Sequence, residues 1–194
     1  MKLFECDSFK VEMSQDLAST ELCGALNHVI AMAAGFCDGM GLGASTKAAI
    51  MRKGLKEMED FCKMFSPNYD PSIMISPAGV ADLIATGIGG RNRLCAAEFV
   101  KQRLSMNDDE APDWAIIEAT CLGRGQKLQG LGTCDEVMSC LTSLNVSKEK
   151  FKLLRQIHAI ARLGADPRLI FQDVWGATKR RGGQRTIMSM SSAR

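Results

Sequence analysis

The sequence predicts an all-α domain, and three observations carry that prediction. Most of the chain places apolar residues at three- and four-residue steps, the spacing that lines one face of a helix. Clusters of glycine and proline divide the pattern into segments of helical length. Only Phe9 to Met13 (FKVEM) alternates apolar and polar residues as a half-buried strand does. One strand has no partner in a helical chain, so this segment reads as the last piece of a sheet whose other strands lie elsewhere.

From Asp16 the period becomes helical. Asp16 is the predicted N-cap, followed by Leu22, Leu26, Val29, Ile30 and Ala33. The segment is apolar on most sides toward its end, which predicts a buried central helix. The glycines Gly35, Gly39, Gly41 and Gly43 read as its breakers. A second long helix starts near Ser45 or Thr46, with Ala48, Met51, Leu55, Met58, Cys62 and Phe65 as one apolar stripe. Arg52, Lys53, Lys56, Glu57, Glu59 and Asp60 then fall on the other faces. SPNYDP, from Ser66 to Pro71, ends this helix with two prolines. Shorter helices are predicted from Pro77 to about Thr86, Asn92 to Arg103, Pro112 to Leu122, Cys134 to Leu144, Ser147 to Leu163 and Pro167 to Trp175. SMNDDEAP, ahead of Pro112, reads as a loop.

Composition narrows the class. The chain has 194 residues, 46% hydrophobic and 24% charged, as soluble globular domains have. Its net charge is +2, yet residues 177–194 carry five basic side chains and no acid, leaving −3 on the rest. Those basic residues sit among Gly and Ser without aromatics, so the tail reads as solvated and disordered, and no nucleic-acid partner is expected. The eight cysteines form no CxxC pair and have no histidines at zinc spacing, which predicts reduced thiols and no metal. The opening residues lack a continuous apolar signal region. The apolar stretch around Val29 to Phe36 is too short to span a bilayer. Cytoplasmic location without a membrane partner is the resulting expectation.

Three glycine-rich segments invite a ligand. GFCDGMGLG (Gly35 to Gly43) lacks the GxGxxG and GxxxxGK[ST] spacings and follows a helix, so it reads as a helix break. In GIGGRNR, Arg91 and Asn92 follow Gly89-Gly90 where a helix begins. A guanidinium fork, an amide and free backbone N–H groups suit a phosphate dianion, although a plain helix start has the same appearance. In GRGQKLQG, Lys127 and Gln129 lie two positions apart, either presented together to one ligand or sitting in an ordinary loop. Asp82 and Thr86 are one helical turn apart and share a face, as site residues or as a satisfied pair. Asn27 and His28 form a polar pair in the most apolar helix, which costs stability unless a polar cavity or solvent meets them.

ELCGAL, HVIAM, AAGFCDGMGLG, TKAAIMRKGLKEM, GVADLIATGIGGRNR and GQKLQG occur in order between about Phe9 and His158. In these motifs and their spacing the chain resembles NAD-dependent glycerol-3-phosphate dehydrogenase. The resemblance implies a multi-helical C-terminal domain of the 6-phosphogluconate-dehydrogenase-like type, spanning 14–176. Residues 1–13 then correspond to the end of a Rossmann domain, and 177–194 to the basic tail. It implies NADH-linked reduction of dihydroxyacetone phosphate to glycerol 3-phosphate. By the same resemblance Arg91 and Asn92 match contacts to the substrate phosphate. Arg91, Lys127 and Gln129 match positions that touch NAD, and Asp82 and Thr86 match polar residues of the active site.

Two departures stand out. Where the family reads GALKNV, this chain reads GALNHV, so Asn27 occupies the catalytic lysine's position and His28 that of the neighbouring asparagine. Ketone reduction needs a proton donor as hydride reaches the carbon. Asn27 is not a useful acid. His28 is a competent one, but it projects about 100° away around the helix. The sequence also lacks the glycine-rich turn and ribose-binding acid of a dinucleotide fold. Two functions therefore stand: the dehydrogenase reaction of the family, and an inactive module that binds a phosphate ester or dimerises through an uncovered apolar surface.

Overall fold

Asp16 starts the first helix as the sequence predicts. Its carboxylate accepts from the Ser19 N–H at 3.0 Å, and α1 (Leu17–Gly39) follows. The same carboxylate accepts from the Ser66 hydroxyl at 2.7 Å and from the Asp70 N–H at 3.0 Å. One buried acid thus ties the start of α1 to the end of α2 (Ala44–Phe65). The computed structural model describes residues 4–106, 111–123 and 125–171, and among them no β-strand forms. The basic tail, the stretch from Gln172 to Trp175 and the middle of the SMNDDEAP loop lie outside the described residues.

The remaining elements are α3 (Asp82–Gly89), α4 (Arg91–Ser105), α5 (Trp114–Cys121), α6 (Gln129–Ser143) and α7 (Lys152–Arg162). Short 3-10 turns cover Pro71–Ile75 and Pro167–Phe171, and a π-turn covers Pro77–Ala81. Every residue from Val29 to Cys37 is buried, so α1 is the central helix, packed by α2, α3, α4, α6 and α7. It is long and apolar enough to cross a bilayer, yet 67% of its apolar window is buried inside the domain. All eight cysteines are free thiols.

Several elements differ from their sequence-based expectation. FKVEM forms no strand: it makes only an isolated bridge between Cys6 and Phe9, and both Phe9 and Met13 are exposed. With no neighbouring strand, its backbone has nothing to pair with. The glycine cluster does not break α1 at Gly35. The helix continues to Gly39; a side chain at Gly35 would collide with the Arg93 carbonyl and at Gly39 with Val100 of α4. These two glycines let the backbones of α1 and α4 approach closely.

The buried face of α2 is rotated from the predicted stripe. It runs through Ile50, Gly54, Glu57, Met58, Phe61 and Cys62, while Ala48 is exposed. Gly54 lies against Ile30 of α1. Glu57, placed by the sequence off the apolar stripe, is buried and accepts from the N–H groups of Leu153 and Leu154 at 2.9 and 3.0 Å. It caps α7, whose own N-cap residue, Phe151, supplies no side-chain acceptor. Burial pushes the Glu57 carboxyl up, only partly opposed by these two hydrogen bonds. The last predicted helix begins as a 3-10 turn, and α7 starts at Lys152 rather than Ser147.

Substitution of Gly35 by valine is expected to lower the stability by about 3 kcal/mol, since an overfilled α1–α4 contact forces the helices apart. Gly24 has open space around it, so Gly24→Ala is expected to raise stability by about 0.5–1 kcal/mol. Urea unfolding of the two variants separates close packing from simple helix propensity.

A second outcome follows from Asp16. Burial raises its carboxyl, but the hydrogen bonds from Ser19, Ser66 and Asp70 outweigh that and bring it to about 2. Its stabilisation is therefore complete above the ordinary carboxylate range and is lost as pH falls toward 2. Asp16→Ala is expected to destabilise by about 1–2 kcal/mol near neutrality. The gap from wild type should narrow between roughly pH 4 and pH 2, measured as urea midpoints across that range.

Candidate functional site

The residues singled out in the sequence lie on α1, α3, α4 and the entry to α6. α1 packs against all three of these helices. Asn27 on α1 is fully buried. Its Nδ2 donates to the Ala78 carbonyl at 2.9 Å, to the Gly79 carbonyl at 3.4 Å and to Asp82 Oδ2 at 3.1 Å. The π-turn at Pro77–Ala81 supplies the two carbonyls, and α3 begins with the carboxylate. Three acceptors around one nitrogen fix the amide orientation. Among the described residues Asn27 Oδ1 is buried without a partner, as is Nδ1 of the half-buried His28.

Asp82 and Thr86 do share a face, but they use it differently. Asp82 meets Asn27, whereas the Thr86 hydroxyl donates back to Asp82 O at 2.8 Å and Leu83 O at 3.3 Å within its own helix. Thr86 is thereby satisfied locally.

Gly90 separates α3 from α4. Its extended backbone (φ −72°, ψ 152°) turns the chain, and no side chain caps the start of α4. The first N–H groups of that helix are thus open to an anion. Arg91 is the first residue of α4, is exposed, and makes no hydrogen bond or ion pair among the described residues. Asn92 is buried, and its Oδ1 accepts from the Gly130 N–H at 2.8 Å. With Oδ1 committed, the Nδ2 donor is the end of this amide left for an anion.

Gly130 is the second residue of α6, and Leu128, at its N-cap, offers no side-chain acceptor. Asn92 therefore caps α6 from a distance. A Cβ at Gly130 would lie 2.8 Å from Asn92 Oδ1, 2.8 Å from Met32 Sδ and 2.9 Å from the His28 carbonyl. Glycine is required there because α6 starts in contact with α1 and α4. α6 accordingly begins at Gln129, five residues before the predicted start at Cys134. Lys127 and Gln129 are exposed while Leu128 and Gly130 are buried, so the alternation seen in the sequence is kept.

Sequence reasoning missed the ionic tie beside this site. Asp38, at the end of α1, accepts from Lys47 of α2 at 2.8 Å and from Arg93 of α4 at 2.5 Å. Burial raises the Asp38 carboxyl, but these two partners outweigh it and hold it below the ordinary carboxylate range. Glu118 of α5, which accepts from the Leu128 N–H at 2.8 Å, was also missed. No local spacing marks either contact, because their partners lie on other helices.

Comparison with known proteins bears on this arrangement. A family model described as the NAD-dependent glycerol-3-phosphate dehydrogenase C-terminus matches residues 16–172. The chain is 41% identical over 172 residues to a chloroplastic glycerol-3-phosphate dehydrogenase [NAD(+)] of Arabidopsis thaliana, covering 89% of this chain and 41% of that protein. It is 40% identical to the cytoplasmic enzyme of Drosophila virilis, covering 81% of this chain and 42% of that protein. A solved glycerol-3-phosphate dehydrogenase structure from Dunaliella salina superposes with a TM-score of 0.81 at 37% identity, over 88% of this chain and 28% of that one. The structure from Plasmodium falciparum gives 0.79 at 32% identity, over 94% and 48%. The chain thus spans about two fifths of the length of the curated relatives it matches. It belongs to the NAD-dependent glycerol-3-phosphate dehydrogenase family, of which it carries the all-α C-terminal domain.

Proposed function

We propose that this chain binds a small phosphate ester, dihydroxyacetone phosphate or glycerol 3-phosphate, and supplies no proton from position 27 for its reduction. The observation that carries the reading is the uncapped start of α4, with Arg91 exposed and the Asn92 amide oriented by Gly130. Open helix N–H groups, a guanidinium and an amide donor together match the acceptors of a phosphate dianion. The relatives' activity gives the substrate class.

Asn27 supports the second half of the proposal. The side chain is inside the protein with its protons held by Ala78, Gly79 and Asp82. A neutral amide in that position carries neither a charge to stabilise an alkoxide nor a proton to give it.

The family is NAD-dependent, and NADH supplies the hydride when bound. Lys127 and Gln129, exposed at the start of α6, fit the anionic and amide edge of such a cofactor. They are one edge of a site. We place the protein in the cytoplasm with its Drosophila relative. Phe9, Met13 and Ile75 are exposed along one groove of about 660 Å³. That apolar lining supports association with a second polypeptide, including another copy of this chain.

Calorimetric titration with glycerol 3-phosphate tests the binding. Arg91→Ala is expected to weaken it at least tenfold, corresponding to the roughly 1.5–3 kcal/mol of a hydrogen bond to a charged group. Unchanged affinity would remove the phosphate assignment. The chain is expected to show no NADH oxidation with dihydroxyacetone phosphate. Robust turnover would favour the dehydrogenase reading and direct attention to His28, whose Nδ1 is unpartnered.

Asn27→Ala gives an independent check. It removes the donor to the Ala78 carbonyl and to Asp82, while the Gly79 carbonyl keeps the Asp82 N–H, so stability should fall by about 1–3 kcal/mol, read from urea unfolding. A neutral result would mean that solvent or a neighbouring group replaces the amide.

A further inference from the structure

We infer that Glu118 is a positioning residue: with Asn92 it pins the two buried backbone amides on either side of Gln129, and so fixes where Lys127 and Gln129 meet a ligand. The sequence singles out neither Glu118 nor this role. The inference rests on the reading of Lys127 and Gln129 as ligand contacts.

Between α5 and α6, among the described residues, the local ties are between Gly123 and Gln126, whose side-chain Oε1 accepts from the Gly123 N–H at 3.3 Å. Gly125 has positive φ (80°), and Gln126 N–H closes a turn onto the Gly123 carbonyl at 3.1 Å. The Leu128 backbone is extended (φ −87°, ψ 99°) and its N–H belongs to no helical bond. In extended backbone, neighbouring side chains point to opposite sides. Holding Leu128 inward therefore turns Lys127 outward, and the position of Gln129, the first residue of α6, follows from where that helix is held to start.

Two side chains make that choice. Glu118 Oε1 accepts from the Leu128 N–H at 2.8 Å, and Asn92 Oδ1 accepts from the Gly130 N–H at 2.8 Å. Leu128 and Gly130 are buried, and Lys127 and Gln129 are exposed. A carboxylate accepting from an N–H at the start of α6 is favoured both as a charged acceptor and by the helix dipole.

Glu118 also stands on a firm base. Its neighbour Ile117 is fully buried. Trp114, one turn earlier, stacks on Phe99 of α4 with ring centroids 4.2 Å apart and planes 6° from parallel. The Trp114 indole N–H donates to the Ala161 carbonyl of α7 at 2.9 Å. α5 is thereby fixed to α4 and α7, and it transmits that fixed position to the loop through one carboxylate. Asn92 does the same from α4. The segment that carries Lys127 and Gln129 is held by the same helix that carries Arg91.

The test uses amide hydrogen exchange first, because it needs no ligand. In Glu118→Ala the Leu128 amide should exchange roughly tenfold faster, the loss expected for one hydrogen bond. In Glu118→Gln it should stay near wild type, since the amide oxygen still accepts. An unchanged Leu128 rate in Glu118→Ala overturns the inference. NADH binding, followed by fluorescence, then reads the consequence. Glu118→Ala should weaken it severalfold and Glu118→Gln should restore it. In a Lys127→Ala, Gln129→Ala background the Glu118→Ala change should add nothing further, because its effect passes through those two side chains. An additive loss in that background, or an equal loss of glycerol 3-phosphate affinity, also overturns it and marks general damage. If the wild-type chain binds no NADH at all, the cofactor reading of Lys127 and Gln129 fails. The exchange rates still decide whether Glu118 holds the loop.

Discussion

The close contact of α1 with α4 governs the rest of the molecule. Gly35 and Gly39 remove the side chains that would separate the two helices, so the α1 surface meets the backbone of α4 directly. Asp38 then lies near enough to take Arg93 from α4 while holding Lys47 from α2. The start of α4 is set against the middle of α1, where Asn27, His28 and Met32 lie. Because Asn92 is the second residue of α4, its amide reaches the first turn of α6, and Gly130 lets that turn settle on the His28 carbonyl and Met32. A larger spacing between α1 and α4 would move Arg91, Asn92 and α6 together.

Two helix starts in this domain are finished by other helices. α6 and α7 have N-cap residues, Leu128 and Phe151, whose side chains cannot accept a hydrogen bond. Asn92 and Glu57 supply the acceptors from α4 and α2. Each such bond satisfies a backbone donor that would otherwise be stranded. It also couples the start of one helix to the position of another, so secondary and tertiary structure form together. Buried Asn92 and Glu57 are tolerated for the same reason, since each lies against the N–H groups of a helix terminus.

This pattern separates what was legible in the sequence from what was not. Asp16 was legible because its first partner, Ser19, is three residues away. The burial of α1 was legible because Val29 to Cys37 is apolar on every side. Prolines and the glycines after Gly39 marked real boundaries. Glu57 was misplaced because its partners are almost a hundred residues downstream, and a charged residue between charged neighbours has the pattern of a solvent face. Gly35 was misread because a glycine that ends a helix and one that admits a neighbour have the same letter, whereas Gly39 does both. The start of α6 was late for a related reason: GQKLQG contains no cap, and the cap is on α4. At the site, the position of Arg91 and Asn92 at a helix start and the alternation about Lys127 could be read locally. The hydrogen bond between Asn27 and Asp82 was not legible, since fifty-five residues separate them.

Asn27 shows how a wholly buried polar side chain is held by its surroundings. Two backbone carbonyls and a carboxylate converge on one nitrogen. An amide has two protons for these three acceptors, whereas an ammonium has three and a charge to balance Asp82. The cluster of acceptors is thus more complete than its present donor requires. The amide still bridges α1 to the π-turn and to α3, which is a reason for a polar residue to remain at a wholly buried position. Its Oδ1 finds no partner among the described residues, so the amide is only partly satisfied. A hydrogen bond to a carbonyl needs only a polarised N–H, which the amide has. Protonation of an alkoxide needs a proton that can leave.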